Sequence, residues 1–339
     1  MSAVNARNAI PDKDAIARYL RVACAATSVC VNALKLLSGG AIQQNWELGV
    51  DISGGTHEGA HTWVLRTDAP ATVASSLPRE REFAILRFAH THGLLAPKPL
   101  FMCNDSTVIG QPFFVMEKLP GVAAGHKVVR LNFNRRVLAR ELAQAAARIH
   151  AIRPPLGKLP FLKTFLARDV ISACRAWLDT LDEPHPVLEW GLRWCQLRAP
   201  VQEETTFVHR DFRTGNYLLH EGKLAGLLDW EFAALGNPLE DIGWICARCW
   251  GFRQDRYVVG GVADLDDFIP TYEAASGRKV PAEALRYWQV MAHIRWSIIA
   301  LQQAQRHLSG VEPSLELALT GKIVAELEWE ILQLTEHIT

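Results

Sequence analysis

Between His209 and Asp241 the chain reads HRDFRTGNYLLHEGKLAGLLDWEFAALGNPLED, in which Asp211, Asn216 and Asp229 fall where phosphoryl transfer from a nucleotide needs oxygen-bearing side chains. The apolar runs 217–219 and 224–228 flank Glu221-Gly222-Lys223, which predicts two short strands around a tight turn. A two-residue loop at Gly222-Lys223, glycine first, is a type II′ turn and fixes the register. That register sets Asn216 opposite Asp229. Opposed residues carry Cβ atoms about 4.5 to 5.5 Å apart, close enough for an amide oxygen and a carboxylate to hold one hard cation. Mg²⁺ suits such a pair, since it takes oxygen ligands and keeps several waters. Asp211 lies in the loop entering the hairpin, placed to accept a proton from an attacking hydroxyl.

Other elements must hold these residues. Helical spacing of Ile16, Tyr19, Leu20 and Ala23, with Pro11 and Asp12 at the start, predicts a helix over 14–25. Runs at 31–37, 45–52 and 62–66, broken by Ser38-Gly39-Gly40 and Gly54-Gly55, predict a three-strand antiparallel meander. A helix over 77–92 follows, stopped by Pro97-Lys98-Pro99, and then a buried strand over 113–116. Beyond Gly125 the pattern is mainly helical, with segments at 135–152, 162–181, 187–197, 282–308 and 315–338, and a further helix around 242–250. Trp177, Trp190, Trp194, Trp288, Trp296 and Trp329 are expected to fill a helical core.

His209-Arg210-Asp211, with Asn216 and Asp229 at these spacings, resembles the catalytic loop and metal-binding acid of the protein-kinase-like superfamily. Asp229-Trp230-Glu231 followed by Gly236-Asn237-Pro238-Leu239-Glu240-Asp241 is similar to the aminoglycoside phosphotransferase and choline kinase group, and most similar to the phosphotransferase-like domain joined to some acyl-CoA dehydrogenases. The resemblance implies an α+β, protein-kinase-like two-lobe fold. Residues 1–120 would form a small antiparallel-sheet, nucleotide-binding lobe, and 121–339 a helical lobe with the catalytic loop and acceptor pocket. It implies ATP and Mg²⁺ as cofactors, Asp211 as base, and Asn216 and Asp229 as metal ligands. Ser38, Gly39 and Gly40 would cover the phosphates, or form no more than a hairpin turn. Arg66 stands where protein kinases carry Lys and would grip the phosphates, and its planar fork suits that task. Glu82, with Glu80 as competitor, would pair with Arg66, and backbone groups of Glu117, Lys118 and Leu119 would meet adenine at the hinge.

Arg213 and Glu231 each lie two positions beyond a catalytic acid, so an Arg213–Glu231 bridge could hold Asp211 and Asp229 in register; alternatively Arg213 neutralises charge on the moving phosphoryl. Asp241 reads as a brace for the catalytic loop, and His150 and His209 as packing or bracing groups. His57 and His61 flank a turn and do not form a convincing metal pair. Seven scattered cysteines, with one CxxC at Cys246 and Cys249, favour reduced thiols. Thirty-six basic residues balance 36 acidic ones, so no global field recruits nucleic acid or an anionic membrane. With no long apolar span, a cytoplasmic small-molecule kinase is expected. Its acceptor stays open among aminoglycoside-like, choline-like and hydroxyacyl-CoA-like molecules; Trp244, Trp250, Phe252 and Tyr257 could cage a choline. A nucleotide-binding pseudokinase and a metal-dependent hydrolase are the competing readings.

Overall fold

In the computed structural model, which describes residues 10–37, 43–68, 77–310 and 312–336, the chain divides into two units. One comprises 1–120 with 226–231, the other 121–225 with 232–339. The candidate phosphate turn Ser38-Gly39-Gly40 lies outside the described residues.

The first unit begins with helix α1 (Lys13–Ala23), whose N-terminus is capped by the Asp12 carboxylate accepting from the Asp14 amide at 2.9 Å. Strands β1 (Ser28–Leu36), β2 (Gln43–Ser53) and β3 (Gly59–Asp68) form the expected meander. After α2 (Arg79–Thr91), strands β4 (Pro99–Cys103) and β5 (Phe113–Glu117) extend it to an antiparallel five-stranded sheet ordered β1-β2-β3-β5-β4. Period-two alternation decides what each face carries. Trp46, Leu48, Trp63 and Leu65 pack with Ile16 and Leu20 of α1 in one apolar core. Residues of opposite parity, Asn45 and Arg66, are ladder partners.

The second unit starts with α3 (Gly125–Val128) and α4 (Arg135–His150), then β6 (Thr164–Phe165), α5 (Ala167–Leu178) and α6 (Pro186–Arg198). Strand β7 (Thr206–Val208) leads into the catalytic segment, and β8 (Tyr217–His220) and β9 (Lys223–Leu227) form the hairpin. Then come β10 (Ala234–Gly236), α7 (Leu239–Ile245), α8 (Leu265–Ser276), α9 (Ala282–Leu308), α10 (Leu315–Lys322) and α11 (Val324–Thr335). A small sheet ordered β6-β10-β7 fixes both ends of the catalytic segment. Helix α9 is the central post, its Trp288, Met291, Ile294 and Ile298 packed with α5, α6 and α11. Each such buried side chain contributes about 1.5–3 kcal/mol. Among the described residues no helix is long and apolar enough to cross a membrane.

Four expectations need correction. The helix expected over 162–181 opens with strand β6, because Thr164 and Phe165 pair with β10. The helix expected over 315–338 breaks between Lys322 and Val324. That around 242–250 ends at Ile245, with only a single 3₁₀ turn at Arg248–Gly251, so Cys246 and Cys249 do not share a continuous helix. Trp190 and Trp329 are 54% and 58% exposed and so do not belong to the core expected of them.

Candidate active site

The second unit carries the candidate catalytic loop, and its geometry follows from the residues around Asp241. This carboxylate is fully buried and accepts the backbone amides of His209 at 2.7 Å and Arg210 at 2.6 Å, and contacts His150 Nε2 at 3.1 Å. His150 is held in turn by the Tyr272 hydroxyl, 2.8 Å from its Nδ1. Burial works against ionisation of Asp241, yet the hydrogen bonds and charges of His150 and His209 outweigh it and hold its carboxyl below the usual range. Two neighbouring backbone amides bound to one side chain force a sharp bend, and Arg210 takes φ +64°, a strained value for a non-glycine residue. The Arg210 guanidinium lies 3.9 Å from the Phe165 ring centre and donates to Glu240 at 3.0 Å, while Arg295 donates to the same carboxylate at 2.5 Å.

Beyond this bend the Asp211 carboxylate is held on both oxygens. Trp244 Nε1 and Arg213 Nε each donate to Oδ1 at 2.9 Å, and Asn216 Nδ2 donates to Oδ2 and, at 3.0 Å, to the Asp211 carbonyl. The amide orientation of Asn216 is thereby decided, because its nitrogen faces two acceptors. Its carbonyl oxygen is the atom left to bind a cation. Arg213 lies 4.4 Å from the Trp250 ring centre, so its guanidinium is fixed from below as well as from the side. Thr214 is buried and bonded to the Gly260 carbonyl at 2.7 Å, tying the loop to the segment after α7. Within this unit Arg213 pairs with Asp211, two residues before it, at 2.9 Å.

The first unit builds a second charged group. Arg66, on β3 and 4% exposed, places Nε 2.8 Å from Glu82 Oε1 on α2 and Nη1 2.7 Å from Asp229 Oδ1. Glu82 is buried and Glu80 is exposed. Arg79 is also buried; it pairs with Glu82 and, at 2.8 Å, with Asp68. Glu231 accepts from Gln43 and stands 3.9 Å from both arginines. Burial pushes the Glu231 carboxyl up to about 7; Arg66 and Arg79 oppose that, and the charges of Glu82 and Asp229 add to it. For Arg66 burial disfavours the charge, but Glu82, Asp229 and Glu231 outweigh it and hold its pKa above the ordinary value. Asp229 takes φ +58°, the left-handed conformation again at a non-glycine acid.

The hairpin differs from the sequence expectation. Its turn residues are Glu221 and Gly222, with φ of +50° and +78°, a type I′ turn and not the type II′ turn at Gly222-Lys223. Positive φ at both central positions matches strand twist better, and that preference overrode the simple glycine-first rule. The register that was to set Asn216 opposite Asp229 therefore no longer follows from the turn, and both residues lie outside the strands β8 and β9. At the expected hinge, the Glu117 amide donates to the Lys98 carbonyl at 2.9 Å, Lys118 pairs with Glu47 at 2.5 Å, and Leu119 follows in irregular chain. Sequence reasoning missed Trp244, Arg79 and the His150–Asp241 contact. Trp244 was discoverable: Asp241 and Trp244 are three apart on α7, one turn along the same face.

Comparison with known proteins places this geometry. Residues 33–287 match the sequence model described as the phosphotransferase enzyme family. The chain is 27% identical to mouse acyl-CoA dehydrogenase family member 10 over 287 residues, covering 79% of this chain and 27% of that protein. Against human acyl-CoA dehydrogenase family member 11 the identity is 23%, with 83% of this chain and 38% of that protein covered. This chain therefore spans well under half the length of these relatives. Among solved structures, aminoglycoside phosphotransferase APH(4)-Ia in complex with AMP-PNP and hygromycin B superposes with a TM-score of 0.62 at 16% identity, covering 95% of this chain and 98% of that one. A choline/ethanolamine kinase family protein from Mesorhizobium loti gives 0.57 at 17% identity over 88% of each chain. These structures show the fold, a small antiparallel-sheet lobe and a mainly helical one.

Proposed function

We propose, from the premise that this chain belongs to the phosphotransferase enzyme family, that it transfers the γ-phosphoryl of ATP to a hydroxyl on a small molecule. The observation that carries the reading is the Asp211 carboxylate, oriented by Trp244, Arg213 and Asn216. A carboxylate fixed in this way can align an acceptor hydroxyl and receive its proton. Arg66 would grip the phosphates with a guanidinium already oriented by Glu82. Ser38, Gly39 and Gly40, and the backbone of Glu117, Lys118 and Leu119, would contact the nucleotide as the family resemblance implies.

As the family resemblance implies, Asn216 and Asp229 would hold Mg²⁺, and each offers oxygen of the kind that ion takes: Asn216 has its carbonyl oxygen left over, and the Asp229 carboxylate is 32% exposed. When bound, the ion neutralises charge between the β- and γ-phosphates. Arg213, 2.9 Å from the base, would meet charge on the phosphoryl or on the acceptor.

For the acceptor, the fixed Arg213 beside Asp211 repels a polycation, which counts against an aminoglycoside. A choline cage from Trp244 and Trp250 is also disfavoured, since Trp250 already carries Arg213 and Trp244 spends its N–H on Asp211. A hydroxyacyl-CoA-like acceptor is compatible with both points and with the linkage of such domains to acyl-CoA dehydrogenases in the relatives. All seven cysteines are free, which suits a reducing, cytoplasmic setting. Retention of Asp211, Asn216 and Asp229 speaks against a pseudokinase.

The deciding experiment is a mass-shift screen of pooled metabolites with ATP and Mg²⁺: a product heavier by one phosphoryl group supports the reading, and phosphate release without any phosphorylated acceptor favours hydrolysis. With an acceptor in hand, Trp244→Phe keeps the ring and removes the N–H donor. Loss of one hydrogen bond to a charged group, about 1.5 kcal/mol, should slow single-turnover transfer about tenfold with KM for ATP unchanged. A wild-type rate would show that Asn216 and Arg213 orient Asp211 unaided.

A further inference from the structure

Arg66 is ion-paired with the acid assigned above to the metal. Its Nη1 lies 2.7 Å from Asp229 Oδ1 while Nε stays on Glu82 at 2.8 Å and the Asn45 side-chain oxygen stands 3.3 Å away. Of the three acids around this guanidinium, Glu82 and Glu231 have side chains only 4% and 7% exposed, and Asp229 reaches 32%. The partner open to solvent is therefore Asp229, and the buried Glu82 anchors the side chain.

We propose that Arg66 is the resident counter-ion of Asp229, so that a free divalent cation competes with the guanidinium for this carboxylate until a polyphosphate draws Arg66 away. The inference rests on the assignment of Asp229 as a metal ligand. A cation brought to Asp229 while Arg66 remains in place meets a like charge a few ångströms off and an oxygen whose charge is already compensated. Polyphosphate oxygens offer Nη1 a replacement partner, and Glu82 keeps hold of Nε, so the side chain can exchange one partner without losing its anchor. Arginine suits this exchange better than lysine, because a fork can face two carboxylates at once and a point charge cannot do so with two short contacts. Nucleotide and metal binding become coupled, and the coupling is reciprocal. Metal is then taken up together with nucleotide and only weakly alone.

Mn²⁺, followed by electron paramagnetic resonance with the full chain and no nucleotide, tests this. Arg66→Gln should bind Mn²⁺ about tenfold more tightly than the wild type, within the usual range of coupling between sites. Because Arg66→Gln leaves buried acids without their cation and could compromise folding, Arg66→Lys is measured beside it. Lysine keeps the charge and loses the second short contact, so it should give a smaller gain in the same direction. Asp229→Asn should weaken Mn²⁺ binding in every background. If neither Arg66 variant binds Mn²⁺ more tightly while Asp229→Asn still weakens it, the counter-ion role is overturned and the metal assignment stands. If Asp229→Asn changes nothing, the metal assignment falls and takes the counter-ion role with it.

Discussion

Asp211→Asn is expected to lower single-turnover phosphoryl transfer about a thousandfold, within the 10²–10⁴ range of general-base contributions, while leaving nucleotide affinity within about twofold. Asparagine keeps the shape of the side chain, and its oxygen can still accept from Trp244 Nε1 and Arg213 Nε, which both donate to Oδ1 in the wild type; its nitrogen then faces Asn216 Nδ2 and loses that one bond, while Asn216 keeps its bond to the backbone carbonyl of residue 211. The loop should therefore stay in place, and what is lost is the capacity to take a proton. Asp211 bonds to Trp244, Arg213 and Asn216, and none of these belongs to the Arg66–Glu82 pair proposed to grip the phosphates. Rapid-quench turnover and calorimetric titration with a non-hydrolysable ATP analogue, run on the same preparation, check both halves. A variant with wild-type turnover would reject Asp211 as the base; one that lost nucleotide affinity in parallel would mean that the residue acts through the fold.

Asp241→Asn is expected to carry the largest stability effect in the second unit, about 3–5 kcal/mol, the usual result of breaking one side of a buried charged group. An amide can accept from one of the two backbone amides that Asp241 now binds, but its nitrogen then faces the other amide, and His150 as well if it takes the Oδ2 position. At roughly 2–4 °C per kcal/mol for a unit of this size, the melting temperature should fall by about 10 °C. Acid dependence gives an independent check. The folded-state carboxyl of Asp241 is held below its unfolded value. Its contribution is therefore full above the unfolded pKa and is lost as pH falls through the lower, folded-state one. The wild-type stability curve should descend on the acid side more steeply than that of Asp241→Asn, and parallel curves would count against the clamp as an ionised group. Turnover should fall with stability, because Arg210 holds its strained φ only while both amides are bound.

Much of this was legible in the chain. The helix over 282–308 was bounded correctly because Pro281 marks its start and its apolar spacing is unbroken. The meander was legible from alternation, and the catalytic loop from acid and amide spacing. Errors arose where a local rule met a tertiary partner. Helix α8 was not foreseen, since Pro270 sits inside it; Phe268 and Tyr272 pack it into place regardless. Strand β6 won two residues from a helical pattern because β10 offered hydrogen bonds. The hairpin was found but its turn was misplaced by one residue, which a two-residue loop turns into an altered pairing of every opposed side chain. The Arg213–Asp211 pair was not foreseen, because two residues so near in sequence give no separate signal of contact. The buried partners His150 and Tyr272 left no motif, since they meet each other and Asp241 across long stretches of chain.

In signalling kinases the arginine preceding the catalytic acid commonly waits for a phosphate added elsewhere on the chain. Here Glu240 occupies that arginine permanently, with Arg295 on its other side and Phe165 beneath. An acid encoded in the gene replaces one installed by modification. Arg210 therefore needs no modification of the chain to be neutralised and held in place.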